Sequence, residues 1–127
     1  MELINIIAAA AAAWAFGAVW YMALAKPWQA AANLSEEQVK QLNPMVYAIS
    51  FAMAVVTAGM MRHIFASSGV TTIGAGAISG FGLGAFITLP WLVTHYLFAM
   101  KPKALIVIDG GYGVIGSTLM GIVLMAF

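Results

Sequence analysis

The chain contains no cysteine, and five basic and four acidic side chains are its whole charged complement among 127 residues. Without thiols there are no disulfides, no cysteine-ligated metals and no thiol nucleophile. A net charge of +1 spread over so few basic groups excludes the clustered cationic face that nucleic-acid phosphates require. Charged residues make up 7% and hydrophobic residues 64%, against roughly 25% and 45–50% in an average soluble domain. These proportions describe an integral membrane protein. Four apolar stretches of about 20 residues, the length that crosses a bilayer, nearly exhaust the chain and imply a single transmembrane domain over residues 1–127.

The predicted fold is all-α, a four-helix transmembrane bundle with spans at residues 4–24, 44–64, 72–100 and 104–127. A short amphipathic surface helix is expected between the first and second. The first span could be mistaken for a signal peptide because of its alanines at residues 8–13. Its leading residues carry Glu2 and no Lys or Arg, however, and the apolar run continues to spanning length, so it is expected to be retained. Trp14, Trp20, Tyr21 and Trp28 gather toward its C-terminal end, where amphipathic rings favour the membrane boundary.

Residues 26–43 form the polar segment. Within it Leu34-Ser35-Glu36-Glu37-Gln38 reads as a helix start: Ser35 caps an amide three residues on, Gln38 reaches back, and two carboxylates sit in the positive first turn. Asn43-Pro44 opens the second span, and Arg62-His63 is its basic flank. Ser67-Ser68-Gly69 is the expected turn. The third span is longer than a bilayer requires, and Pro90, which cannot donate to the Phe86 carbonyl, predicts a kink within it. Lys101-Pro102-Lys103 is the expected turn into the fourth.

Small residues recur at helical spacing. Gly76, Gly80 and Gly84 lie along one side of the third span, and Gly74 and Gly82 lie well round from them. On the fourth span Gly113, Ser117 and Gly121 form a matching row, which begins at Asp109. Rows of this kind let backbones approach closely in lipid, where hydrophobicity does not drive helices together. The third span is therefore expected at the centre, thin on two sides and able to be sandwiched between two neighbours, with this chain and another subunit as alternative sources of the second.

Two ionisable side chains, His95 and Asp109, fall inside the predicted spans, and such groups are functional hypotheses by default. They stand seven residues either side of Pro102, so a helical hairpin places both roughly 10 Å deep, at ~1.5 Å per residue. The expectation is that they face one another; the alternatives are hydration of Asp109 near the headgroups, or a hydrogen bond from Tyr112 or a nearby Ser or Thr hydroxyl. No serine or threonine has a base and an orienting third group beside it, the histidines and carboxylates lack metal-ligand spacing, and the nine methionines show no Met-x-x-Met clustering. The chain is accordingly read as a non-enzyme with neither cofactor nor metal.

Counting basic residues in the loops puts Lys26, Lys40, Lys101 and Lys103 on one side and Arg62 on the other, so both termini are predicted outside the cytoplasm. The expected partners are membrane lipid and either a second copy or another membrane protein, with no nucleic acid. The function expected is an interaction module, homo-oligomeric or accessory to a larger membrane complex. The alternative is a small dimeric transporter with a His95/Asp109 polar site.

Several elements in order, Gly17-Ala-Val-Trp20-Tyr21, Lys26-Pro27-Trp28, Leu34-Ser35-Glu36-Glu37, Tyr96-Leu97-Phe98, Lys101-Pro102-Lys103 and Gly110-Gly-Tyr112 through Met120-Gly121, resemble the small bacterial membrane proteins catalogued as domain of unknown function 1761. The resemblance covers nearly the whole chain. It implies four spans and a bacterial inner membrane, and carries over no activity. That family usually continues Trp-Tyr with Ser-Pro where this chain has Met22-Ala23, and often shows Asn at the positions of His95 and Asp109.

Overall fold

A computed structural model describes residues 2–127, which are helix and connecting turn. The helices are α1 (Glu2–Ala23), α2 (Ala25–Ala32), α3 (Glu36–Lys40), α4 (Pro44–Ser68), α5 (Ile73–Leu83), α6 (Leu89–Phe98) and α7 (Lys103–Met125), with a π-helical turn, Gly84–Thr88, joining α5 to α6. Among the described residues four continuous stretches are long and apolar enough to cross a membrane: Glu2–Ala23, Pro44–Ser68, Ile73–Phe98 and Lys103–Met125.

Local chemistry sets the helix ends. Asn43 accepts a hydrogen bond from the Met45 amide at 2.9 Å, and Pro44 occupies the first helical position, where its missing N–H leaves nothing unpaired. Ser35 and Gln38 form the reciprocal cap of α3, at 3.1 Å to the Gln38 amide and 2.8 Å from the Ser35 amide. The Thr72 hydroxyl accepts from the Ala75 amide at the start of α5.

Four boundaries differ from expectation. Helix α4 runs on through Ser67 and Ser68 and stops at Gly69, whose φ of +72° ends it in the left-handed region that glycine adopts freely. The last turn falls earlier than Lys101-Pro102-Lys103: Met100 takes a φ of +57°, and the Lys101 amide closes back on the Tyr96 carbonyl at 2.9 Å. Pro102 then precedes α7 and Lys103 already lies within it. The polar segment holds a second helix, α2, which ends where Asn33 turns left-handed at a φ of +58°.

The centre of the bundle is α7 rather than the third span. It packs along α5 on one side and α1 on the other, while α4 lies chiefly against α1. The buried residues of α1 are nearly all small, Ala9, Ala10, Ala13 and Gly17, which lets it fit between α4 and α7. Ala54, Ala58, Met61 and Phe65 recur on the inner face of α4, and Phe65 and Leu124 are fully enclosed. Trp14 donates to the Ser50 hydroxyl at 3.0 Å across the α1–α4 contact. Arg62 approaches Glu2 at 3.7 Å near the opposite end of these helices.

The two glycine-rich rows lie face to face. A Cβ at Gly76 would strike the Gly121 carbonyl oxygen, one at Gly80 the Ser117 carbonyl oxygen, and one at Gly84 would stand 2.9 Å from the Val114 Cα and 3.0 Å from the Gly113 carbonyl oxygen. Gly74 and Gly82 differ: a Cβ at either meets nothing within 4 Å. The third span is thus covered on one glycine side and open on the other, and the expected second neighbour is not found among the described residues.

Candidate functional site

The end of α1 that carries Trp20 and Tyr21 lies beside the first turns of α7. Gly111 makes that approach possible, and Gly110 beside it makes room for α6. A Cβ at Gly111 would stand 2.9 Å from the Trp20 ring, and one at Gly110 2.6 Å from a Leu89 methyl. Trp20 uses the space to donate its indole N–H to the Ile108 carbonyl at 2.9 Å. Gly17 serves Tyr112 in the same way, since a Cβ there would come within 2.8 Å of the Tyr112 ring.

Asp109 sits at the centre of this arrangement. The Tyr21 hydroxyl donates to Oδ1 at 2.6 Å and the Tyr96 hydroxyl donates to Oδ2 at 2.6 Å. A carboxylate has only acceptors, so one phenol proton on each oxygen is a matched arrangement, and the short distances are those of charge-assisted bonds. The two donors come from α1 and α6, and the acceptor from α7. One half-buried side chain therefore ties three helices together, in surroundings where an unpartnered carboxylate is expensive. Aromatic rings enclose the tie: Tyr112 meets Tyr21 edge to face at 5.5 Å and stacks on Phe16 at 6.2 Å, and Trp28 meets Tyr21 at 5.9 Å. The groups bonded to Asp109 are phenols, which do not make a typical metal-ligand set.

His95 is not part of this site. It is exposed, stacks on Trp91 at 5.8 Å and forms no ion pair with Asp109. The π turn gives the reason. In an uninterrupted helix of about 100° per residue, position 95 lies about 20° round from Gly84, the near end of the glycine row, and position 96 lies about 120° round from it. The turn at Gly84–Thr88 closes i to i+5 bonds, as from the Leu89 amide to the Gly84 carbonyl, and so inserts one extra residue. Every later side chain arrives one position late, and Tyr96 takes the place facing α7. The same turn accommodates Pro90, which stands in the first turn of α6.

Tyr112, expected as an alternative donor to Asp109, lies in the ring cluster, and both Asp109 oxygens are taken by Tyr21 and Tyr96. Ser117 and Gly121 lie on the α5 contact, and Gly113 lies against the π turn, with Thr88 3.4 Å from its Cβ position. Tyr21, Tyr96 and Trp20 were missing from the sequence-derived site. Their signal was present: two consecutive glycines follow the one acidic residue of the fourth span, at the depth where the first span is richest in aromatic rings.

These features define a multi-pass α-helical membrane protein of four spans, closed at one end by a carboxylate between tyrosines. Over residues 4–125 the chain matches the family described as "Protein of unknown function (DUF1761)", and it belongs to that family. Comparison with curated proteins and with solved structures gave no match.

Proposed function

We propose that this protein is a non-enzymatic interaction module of the bacterial inner membrane, assembling with a second copy of itself through the open side of its third span. One observation carries the reading. Gly74, Ile78, Gly82 and Phe86 are spaced by four along that span, so gaps alternate with projecting side chains. Ile78 is 76% and Phe86 74% exposed, while a Cβ at Gly74 or Gly82 would meet nothing within 4 Å among the described residues. A ridge of alternating knobs and holes is complementary to a copy of itself across a two-fold axis. Both termini are assigned to the non-cytoplasmic side, with Lys26, Lys40, Lys101 and Lys103 facing the cytoplasm.

The test uses the natural absence of cysteine. Ile78→Cys in native membranes is expected to give a disulfide-linked dimer, and Gly82→Leu added to it is expected to abolish the product. Val56→Cys, on the exposed side of α4, serves as the control. Purification in mild detergent should yield a dimer. A persistent larger partner in its place would support an accessory subunit, and a lone monomer without cross-linking would defeat both forms. Tags at the C-terminus that prove cytoplasmic would overturn the orientation.

A second reading, a small transporter, draws on Asp109, since intramembrane carboxylates recur on ion and proton pathways. It has less support because both carboxylate oxygens are already bonded to tyrosine hydroxyls.

A further inference from the structure

The π turn divides the third span into halves of unequal attachment. On one side α5 is held backbone to backbone by Gly76 and Gly80 against α7. On the other, α6 has no buried residue and meets α7 through Leu89 over Gly110 and through the Tyr96 hydroxyl on Asp109. The turn itself is exposed at Phe86, Ile87 and Thr88 and is followed by Pro90, which leaves the hydrogen-bond ladder interrupted there. Its extra residue is what sets Tyr96 rather than His95 toward Asp109. Both side chains are hydrogen-bond donors, and they are adjacent in the sequence.

We propose that the π turn is a movable register break: when it relaxes to α-helical pitch, α6 rotates by one residue and His95 replaces Tyr96 as the partner of Asp109. Tyr96 is the latch of the resting register, and Tyr21, which approaches Asp109 from α1, keeps its bond in both. The charged or titratable groups facing the carboxylate are Tyr21 from α1, Tyr96 from α6 and Tyr112 from α7 itself. The exchange presents an imidazole in place of a phenol to an intramembrane carboxylate, and leaves α5 and its glycine contact where they are.

The test is a pair of spin labels on the cysteine-free chain in lipid bilayers, diluted with unlabelled protein so that distances within one copy are read. Labels at Phe98 on α6 and Val107 on α7, both exposed, report the rotation, and labels at Ile78 and Ile115 report α5 against α7. Tyr96→Phe is expected to add a second Phe98–Val107 distance several ångströms from the first, with the Ile78–Ile115 distance unchanged. Adding His95→Ala should remove the second distance. Deleting Ile87 takes out the extra residue while keeping Tyr96 toward α7, so this deletion combined with Tyr96→Phe should show the first distance alone. Tyr21→Phe, which costs Asp109 the same number of bonds, should leave α6 in place.

Three results would each overturn the proposal. One is an unchanged distance in Tyr96→Phe. Another is a second distance that survives the Ile87 deletion, which would mean fraying of α6 rather than an exchange of register. The last is a joint shift of both label pairs.

Discussion

Replacing Gly80 by alanine adds one methyl group where the bundle has no room for it. The new carbon meets the Ser117 carbonyl oxygen and stands 3.1 Å from the Ser117 carbonyl carbon and 3.2 Å from the Thr118 Cα. Carbon pairs settle at about 3.5–4.0 Å. All three obstructing atoms belong to helical backbone, so no rotamer change relieves the overlap, and α5 and α7 must separate by about 0.5–1 Å. A gap of that size forfeits a quarter to a half of each dispersion well along the contact. Overpacking of this kind costs about 1–3 kcal/mol, and alanine's preference for helix returns up to about 1 kcal/mol. The net loss is expected at about 1–2 kcal/mol.

Gly59→Ala is the matched control: it lies mid-span in α4, and its Cβ would meet nothing within 4 Å. It is expected to leave stability unchanged or to raise it by up to about 1 kcal/mol. Reversible unfolding of both variants by titrating a denaturing detergent into mild micelles measures the difference. Equal midpoints for Gly80→Ala and Gly59→Ala would refute the close backbone contact as a source of stability.

Three further outcomes follow from the geometry. In a double-mutant cycle, Tyr21→Phe and Asp109→Asn should couple by about 1–2 kcal/mol, because the bond between them is short and charge-assisted; additive effects would mean that the hydrogen bond contributes nothing net. Gly111→Ala should displace the Trp20 ring, 2.9 Å from the added carbon, and break its bond to Ile108, read as a loss of near-ultraviolet dichroism that Trp20→Phe reproduces. Gly69→Ala should cost about 1 kcal/mol by forcing a side chain to a φ of +72°, and a thermal midpoint equal to the parent's would show that the turn relaxes.

The number and type of spans were legible because each is a long apolar run between polar turns, and hydropathy reads that signal directly. Capping was legible too, at Ser35 with Gln38 and at Asn43 with Pro44, since the residue types that close a helix end act locally. What the spacing of residues concealed was angular phase. Projecting His95 from Gly84 assumes an unbroken helix, and a single extra residue in the π turn moves the projection by about 100°. Pro90 announced an irregularity but not its form, because a kink and a π turn both answer a missing amide. Helix α2 was hidden for another reason: Pro27 suggests a break, yet it lies in the first turn of α2, where proline is tolerated.

The two kinds of contact on α7 complement one another. Between α5 and α7 the touching surfaces are mostly glycine and backbone, which permits close approach but gives little to oppose sliding along the axis or rotation about it. Dispersion between smooth surfaces varies only weakly with register. Asp109 supplies the missing direction. Its two oxygens each require a donor at a fixed distance and angle, and a shift of about 1 Å in α1 or α6 would carry a bond beyond the range in which it is strong. Placing the carboxylate just beyond the glycine row lets α6 reach it over Gly110 and the aromatic end of α1 reach it over Gly111. The glycines therefore determine how near the helices come, and the tyrosine-bonded carboxylate determines where along one another they stop. That division explains why one acidic side chain suffices on α7, and why the π turn, by choosing the residue of α6 that meets it, controls the phase of a whole half-span.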